Sequence, residues 1–242
     1  MKIGNCYLKI INIVYHIHSL YNIFMLETAK NWMFQLLDLI APERLDALVV
    51  KNLSKEDILD LPKGPDVYGC RWIHPLFHYK NNSVRAIIWE LKYKENTCAL
   101  PVIGELLYEE IVALACDIAL FDGNAKFLLI PVPISTERRI ERGYNQSEHI
   151  AKSILPFDGE HFLIYAPQYL QKPVETPRQS RSLSREERMK NLIGCFSADP
   201  RVDGYYVILI DDVVTTGSTL TEARTTLLSA GARDIFAFTI AH

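Results

Sequence analysis

The 242 residues carry 26 basic and 29 acidic side chains, a formal net charge of −3, and 49% of them are hydrophobic. That balance describes an ordinary globular chain, long enough for one large or two small domains, with no global attraction to nucleic acid; any such contact must use a local patch. Five cysteines (Cys6, Cys70, Cys98, Cys116 and Cys195) are scattered, odd in number and never spaced C-x-x-C, which argues against a disulfide framework or cysteine-held zinc and for a reducing, cytoplasmic setting.

Residues 1–26 hold the one membrane-like run, but Asn12, His16, His18, Ser19 and Asn22 interrupt it and no small-residue cleavage site follows. Residues 1–32 therefore read as a poorly ordered extension, neither membrane span nor signal. From Met33 an amphipathic stretch leads into polar, turn-rich sequence, and the pattern turns extended over 73–79. Cys70, His74 and His78 invite a metal reading, but Pro75 breaks the helix that would bring the two histidines together, so a half-exposed strand face is expected. Ser83 is positioned to cap a helix with Val84, Ile87, Ile88 and Leu91 on one face. A second helix follows over about 101–120. Residues 126–133 (KFLLIPVP) read as a buried strand.

Next comes a basic loop with Arg138, Arg139, Arg142 and Gly143, then a helix. Guanidinium forks after a strand suit an anion, although the same arginines fit a solvated charged face. A short strand is expected at 161–165. Residues 178–190 are basic and short of apolar anchors, so that stretch is expected to be mobile until a ligand orders it. The run Val207–Ile210 is a strand buried on both faces. It stops at Asp211 and Asp212, and the loop Thr215-Thr216-Gly217-Ser218-Thr219 follows. A helix then begins, with Thr219 and Glu222 spaced as a capping box. Gly231 ends it, and 234–241 is a last buried strand.

Backbone amides at a helix N-terminus, with hydroxyls and a glycine permitting close approach, cradle a phosphate. Two carboxylates beside it make no sense for phosphate alone. They do make sense for a sugar phosphate, whose hydroxyls they would accept, or for a shared Mg²⁺. A Walker B strand also ends in acids, but no G-x-x-x-x-G-K-[ST] exists to partner it. A core strand with a solvated acidic turn is the plainer alternative.

The segment VILIDDVVTTGST resembles the phosphoribosyl-pyrophosphate (PRPP) binding motif of type I phosphoribosyltransferases. With HYKNNSVRAIIWELKYKEN, IPVPISTERRIERGYNQSEHIAK and RSLSREERMKNLIGCF, the chain resembles the competence-associated ComF family over most of residues 77–242. The resemblance implies an α/β, type I phosphoribosyltransferase-like parallel sheet flanked by helices. Ahead of it would lie the extension 1–32 and a divergent segment 33–76. Family members commonly carry a four-cysteine zinc module there, and its ligands are missing here, so no zinc is expected.

Carried over by position, Asp211 and Asp212 would act on the ribose. Val213 and Val214 would lead into the PRPP site, with Thr215, Thr216, Gly217, Ser218 and Thr219 on the 5′-phosphate. Arg142 and Gly143 would lie in the pyrophosphate loop, and Arg185, Arg188 and Asn191 in a flexible loop closing over PRPP. Mg²⁺ would arrive with PRPP, helped by Asp211 and Asp212. Three functions compete: phosphoribosyl transfer to an unidentified acceptor, a non-catalytic PRPP-binding accessory of DNA uptake, and a nucleotide-regulated binding domain. The second would touch single-stranded DNA or a helicase, but only Tyr144 stands near the basic loops as an aromatic for base stacking. A homodimer is left open.

Overall fold

A computed structural model describes residues 45–67, 69–173 and 194–242. The chain divides into two units, residues 1–48 and 49–242. Of the first, residues 45–48 are described, as the start of helix α1 (Leu45–Asn52). The expected extension over 1–32 lies outside the described residues.

The second unit is built on five strands: β1 (Ile73–Phe77), β2 (Phe127–Pro131), β3 (Leu163–Tyr165), β6 (Tyr206–Val213) and β7 (Asp234–Ala241). They form one sheet in the order β1-β7-β6-β2-β3, parallel throughout. A separate antiparallel pair joins β4 (Leu170–Gln171) to β5 (Ser197–Ala198). The segments 127–132, 206–210 and 235–240 thus supply the middle of a parallel sheet, as expected of the α/β class.

These strands read as unbroken apolar runs because helices cover both faces. On one face Leu129, Ile208, Ile210, Phe238 and Ile240 pack with α3 (Asn82–Tyr93), α4 (Leu100–Ala119) and α6 (Gln146–Ile154). On the other, Leu128, Ile130, Val207, Leu209 and Ile235 pack with α7 (Ser218–Ser229) and with Cys195 and Phe196. Where α4 meets α6 the contact passes through Gly104, at which an added Cβ would overlap the Ser153 carbonyl.

β1 joins this sheet as an edge strand, Ile73 level with Ala237, a place where sheets tolerate a proline such as Pro75. Residues 62–64 run along its outer side, Gly64 N–H donating to Leu76 O and His78 N–H to Pro62 O. Short α2 (Lys55–Leu59) precedes them. His74 stacks on Phe238 with 4.9 Å between ring centroids. Among the described residues no group of three His, Cys, Asp or Glu side chains could hold a metal ion. No described helix is long and apolar enough to cross a membrane.

Three local expectations need correction. Asn81, not Ser83, caps α3: its Oδ1 accepts from the amides of Ser83 at 2.9 Å and Val84 at 3.2 Å. The basic loop is a helix, α5 (Thr136–Arg142), capped by Ser135 and closed by Gly143 at φ 82°; its alternating charges concealed good helix formers. The strand expected over 161–165 starts two residues late, because His161 takes a φ of 53°.

Strand order reverses between β2 and β6. The crossover from β2 leads out to β3 on one side, and that from β6 leads out to β7 on the other. In open α/β sheets this leaves a crevice at the carboxyl ends of the two strands, where ligands bind.

Candidate functional site

β6 runs three residues past its apolar core and carries Asp211 and Asp212 into that crevice. Ser147, in the first turn of α6, donates its hydroxyl to Asp211 Oδ1 at 3.0 Å, and the Asp212 amide donates to the same oxygen at 2.9 Å. Lys92, near the end of α3, places Nζ 3.1 Å from Asp212 Oδ2. Asp212 is buried and Asp211 keeps part of its surface open. Burial, and then the Asp212 charge, push the Asp211 carboxyl well above the ordinary carboxylate range, while the Asp212 amide, Lys92 and Ser147 pull it back.

The result is a close acid pair, one member answered by Lys92 and the other driven toward its protonated form, with polar contacts engaged on one oxygen of each acid. The opposite oxygens suit sugar hydroxyls or a hard cation. Carboxylate pairs that share a cation with a ligand's phosphates are the usual way proteins hold Mg²⁺, so the donor set fits that ion.

Beyond the acids, Val213 closes the strand opposite Ala241, and buried Val214 donates its N–H to Ala241 O. Thr215 is exposed. Thr216 Oγ1 and Ser218 Oγ lie 2.7 Å apart, and the Ser218 amide points to Thr216 Oγ1 at 3.4 Å. Gly217 is the N-cap of α7, at φ 73° and with no side-chain acceptor, so Ser218 and Thr219 open the helix. The capping box is therefore not formed. Glu222 turns away and accepts from the Gly194 N–H at 2.6 Å. Apart from the long bond of the Ser218 amide to Thr216 Oγ1, no side chain caps this helix start, which suits its leading N–H groups to an anion.

A Cβ added at Gly217 would come into ordinary contact with Ile73, Val214 and Val67. Gly217→Ala is expected to destabilise by about 1–2 kcal/mol, chiefly from left-handed backbone strain. Urea unfolding checks this; an unchanged midpoint would mean that the loop relaxes freely.

The arginine cluster does not converge on the acids. Arg142, next to Gly143, sits with its guanidinium 5.4 Å from the centroid of the Tyr93 ring, and the Tyr93 ring lies tilted against Trp89 with centroids 5.3 Å apart. Arg139 pairs with Glu148 at 3.1 Å. Tyr144 is thus not alone beside the basic segment. Arg185, Arg188 and Asn191, with the rest of 178–190, lie outside the described residues.

The segment RGYNQ has a structural role beyond its glycine. Tyr144 donates its hydroxyl to Leu91 O and accepts from the Glu95 N–H, both at 2.9 Å. Asn145 caps α6 through the Ser147 N–H and donates to Val132 O, each at 3.1 Å. Gln146 donates to Lys92 O at 3.4 Å. The segment ties the helix end bearing Lys92 to the β2 terminus and to the helix start bearing Ser147. Sequence reasoning missed Lys92 and Ser147, because nothing local distinguishes one lysine in LKYK or one serine in NQSEH.

No family model matches the chain. The DNA utilization protein YhgH of Salmonella typhimurium is 27% identical over 149 residues, 62% of this chain and 63% of that protein. Competence protein ComFC of Bacillus subtilis is 34% identical over 115 residues, 47% of this chain and 44% of its own. Competence protein F of Haemophilus influenzae is 33% identical over 110 residues, 44% of this chain and 46% of its own. The chain therefore spans less than two thirds of the length of these curated relatives. Among solved structures, a glutamine PRPP amidotransferase from B. subtilis complexed with ADP and GMP aligns with a TM-score of 0.37 and 18% identity. That alignment covers 63% of this chain and 30% of the other, a likeness too loose to bear on function. These relatives, named for competence and DNA utilization, support the chain's resemblance to the ComF family.

Proposed function

We propose that the protein binds PRPP with Mg²⁺ in the crevice at the end of β6 and transfers its phosphoribosyl group to an acceptor. One observation carries this reading. An acid pair, one member buried and the other half-buried, at the strand-order reversal is followed, within one turn of chain, by a hydroxyl-bearing loop and a helix start with no side-chain cap. The loop and first turn of α7 hold the 5′-phosphate. Asp211 and Asp212 accept the ribose hydroxyls and face the positive charge that grows on the ring as diphosphate departs, a preorganised electrostatic effect. Lys92 and Ser147 hold the two carboxylates in place. Bound Mg²⁺ would offset charge on the leaving diphosphate.

A second reading, PRPP binding without transfer, is favoured by the relatives' names, which speak of competence and DNA utilization. Side-by-side calorimetry and pyrophosphate-release assays on wild type, Thr216→Val and Asp212→Asn separate the two. Thr216→Val should weaken ribose 5-phosphate and PRPP alike, by about 1.5–3 kcal/mol for a hydrogen bond to a charged group. Asp212→Asn should lose turnover more than affinity if the protein is an enzyme. An absence of wild-type turnover, with near-normal PRPP binding by Asp212→Asn, identifies the binder. A wild-type protein indifferent to millimolar PRPP with Mg²⁺ overturns both.

A further inference from the structure

A cavity of about 630 Å³ lies away from the acid pair, beside the edge strand β1, and is within the size range of small-molecule sites. One wall is the segment that runs along β1, pinned by the Gly64 N–H to Leu76 O at 2.9 Å. The approach there needs glycine, because an added Cβ at Gly64 would come within 2.9 Å of the Pro75 and Phe77 carbonyl oxygens. The opposite wall is α4, through Leu106 and Glu110. Close backbone contact and a long helix thus fix the shape of this cavity.

Its chemistry divides by depth. Val67, Ile73, Phe77 and Phe238 are buried and make an apolar floor. His74 stacks on Phe238 there, its Nε2 shut from solvent without a hydrogen-bond partner. Burial lowers the proton affinity of that ring, so it adds no charge at neutral pH. At the rim Lys63, Asp66, Arg71 and Glu110 are exposed, two cations and two anions. Glu110, Asp66 and Lys63 lie within electrostatic reach of His74. Lys63 and Glu110 face each other at 3.7 Å with 81% and 47% of their side chains exposed, a pair weak enough in water to open for a ligand. An apolar molecule would gain nothing from this rim, and one with a net charge would meet its own sign there. A zwitterion with an apolar tail matches both levels.

The floor also lies against the back of the loop 215–219. Ile73 and Val67 are residues that a Cβ at Gly217 would meet, at 3.4 and 4.0 Å. We propose that this cavity is an effector site for a free apolar α-amino acid, whose binding steadies the loop 215–219 and tightens its hold on phosphate. The coupling to phosphate rests on the PRPP reading above; the site itself does not. The ammonium group meets the rim carboxylates, the carboxylate meets Arg71 and Lys63, and the side chain packs on the floor. Val67 and Ile73, supported from the cavity, then stay against Gly217, and the left-handed turn that opens α7 keeps its shape. Linkage makes the effect mutual, so phosphate in the loop raises amino-acid affinity by the same factor.

Leucine, methionine, phenylalanine and tryptophan are the probes, titrated by calorimetry into the full chain without PRPP. At least one should bind wild type. Its N-acetyl and amide derivatives, each lacking one charge, should bind weaker by about tenfold or more. Leu59→Trp, which fills the cavity from an exposed position, should abolish binding, and Arg71→Gln should weaken it. With that amino acid saturating, ribose 5-phosphate should bind wild type tighter by about fivefold or more and Leu59→Trp no tighter than before. The inference is overturned if none of the four binds, or if Leu59→Trp binds as wild type does. It is also overturned if octanoate or the blocked derivatives bind as well as the amino acid, which would make the cavity a general apolar site. An amino acid that binds but leaves ribose 5-phosphate affinity unchanged overturns the coupling. Wild type that binds no ribose 5-phosphate under either condition refutes the PRPP reading and the coupling with it, whereas the titration without PRPP decides the site on its own.

Discussion

Lys92→Met is expected to destabilise the ligand-free protein by about 3 kcal/mol near neutral pH, the low end of the range for stranding one member of a buried ion pair. The side chains of Lys92 and Asp212 are 24% and 11% exposed, so water can replace little of the lost contact. Methionine keeps the apolar stem, which confines the loss mainly to charge. The double variant Lys92→Met, Asp212→Asn should recover most of it by leaving no unanswered carboxylate. Asp211→Asn should act in the opposite sense. The Asp211 carboxyl holds its proton to higher pH in the folded chain than in the unfolded one. Folding therefore loses stability as pH rises from the ordinary carboxylate range to that raised value, and stays at the lower level above it. Asparagine removes this titration, so a gain on the order of 1 kcal/mol should show at neutral pH and vanish in acid. Urea unfolding across pH measures all three. A Lys92→Met protein as stable as wild type would show that Asp212 does not depend on the ion pair.

Gly104→Ala is the second large effect, expected at about 2–3 kcal/mol from overpacking. The added methyl would meet the backbone carbonyl and carbonyl carbon of Ser153. Neither is the far end of a flexible side chain, so two helices must part. α4 anchors the core through Ile103, Leu107 and Ile111, all fully buried, so the shift cannot be absorbed at the surface. α6 also carries Ser147, and the same change should loosen the hold on Asp211. Gly123→Ala, where an added Cβ meets nothing within 4 Å, is the control. Equal melting temperatures for the two variants would remove close approach as the reason for glycine at 104.

What the sequence made legible is what local pattern determines. β2, β6 and β7 stood out because strands covered on both faces must be apolar at every position, and the acids stood out because they end such a run. The partners of those acids stayed hidden. Lys92 and Ser147 reach Asp212 and Asp211 from other helices, and their selection depends on how those helices pack. Capping was misread where two candidates competed: Asn81 reaches two amides from outside the helix and displaces Ser83. Gly217 takes the N-cap of α7 because the turn needs a left-handed residue, which moves Thr219 inside and frees Glu222 for Gly194. The stack of Arg142 on Tyr93 was equally out of reach, since it joins the ends of two helices distant in sequence.

The strand order also shapes how the protein is made. β1 emerges from the ribosome first among the described strands, and β7, its partner in the sheet, emerges last among them. β2 and β3 can pair during translation, and β6 can then dock on β2, but β1 and the segment along its outer side must wait for nearly the whole described chain. Closing so long a loop is entropically slow, and an unpaired strand awaiting its partner is open to misassociation. Completion of the edge beside the loop 215–219 is thus expected late in folding, with the half of the crevice formed by β2 and α6 taking shape before the half formed by β7 and β1.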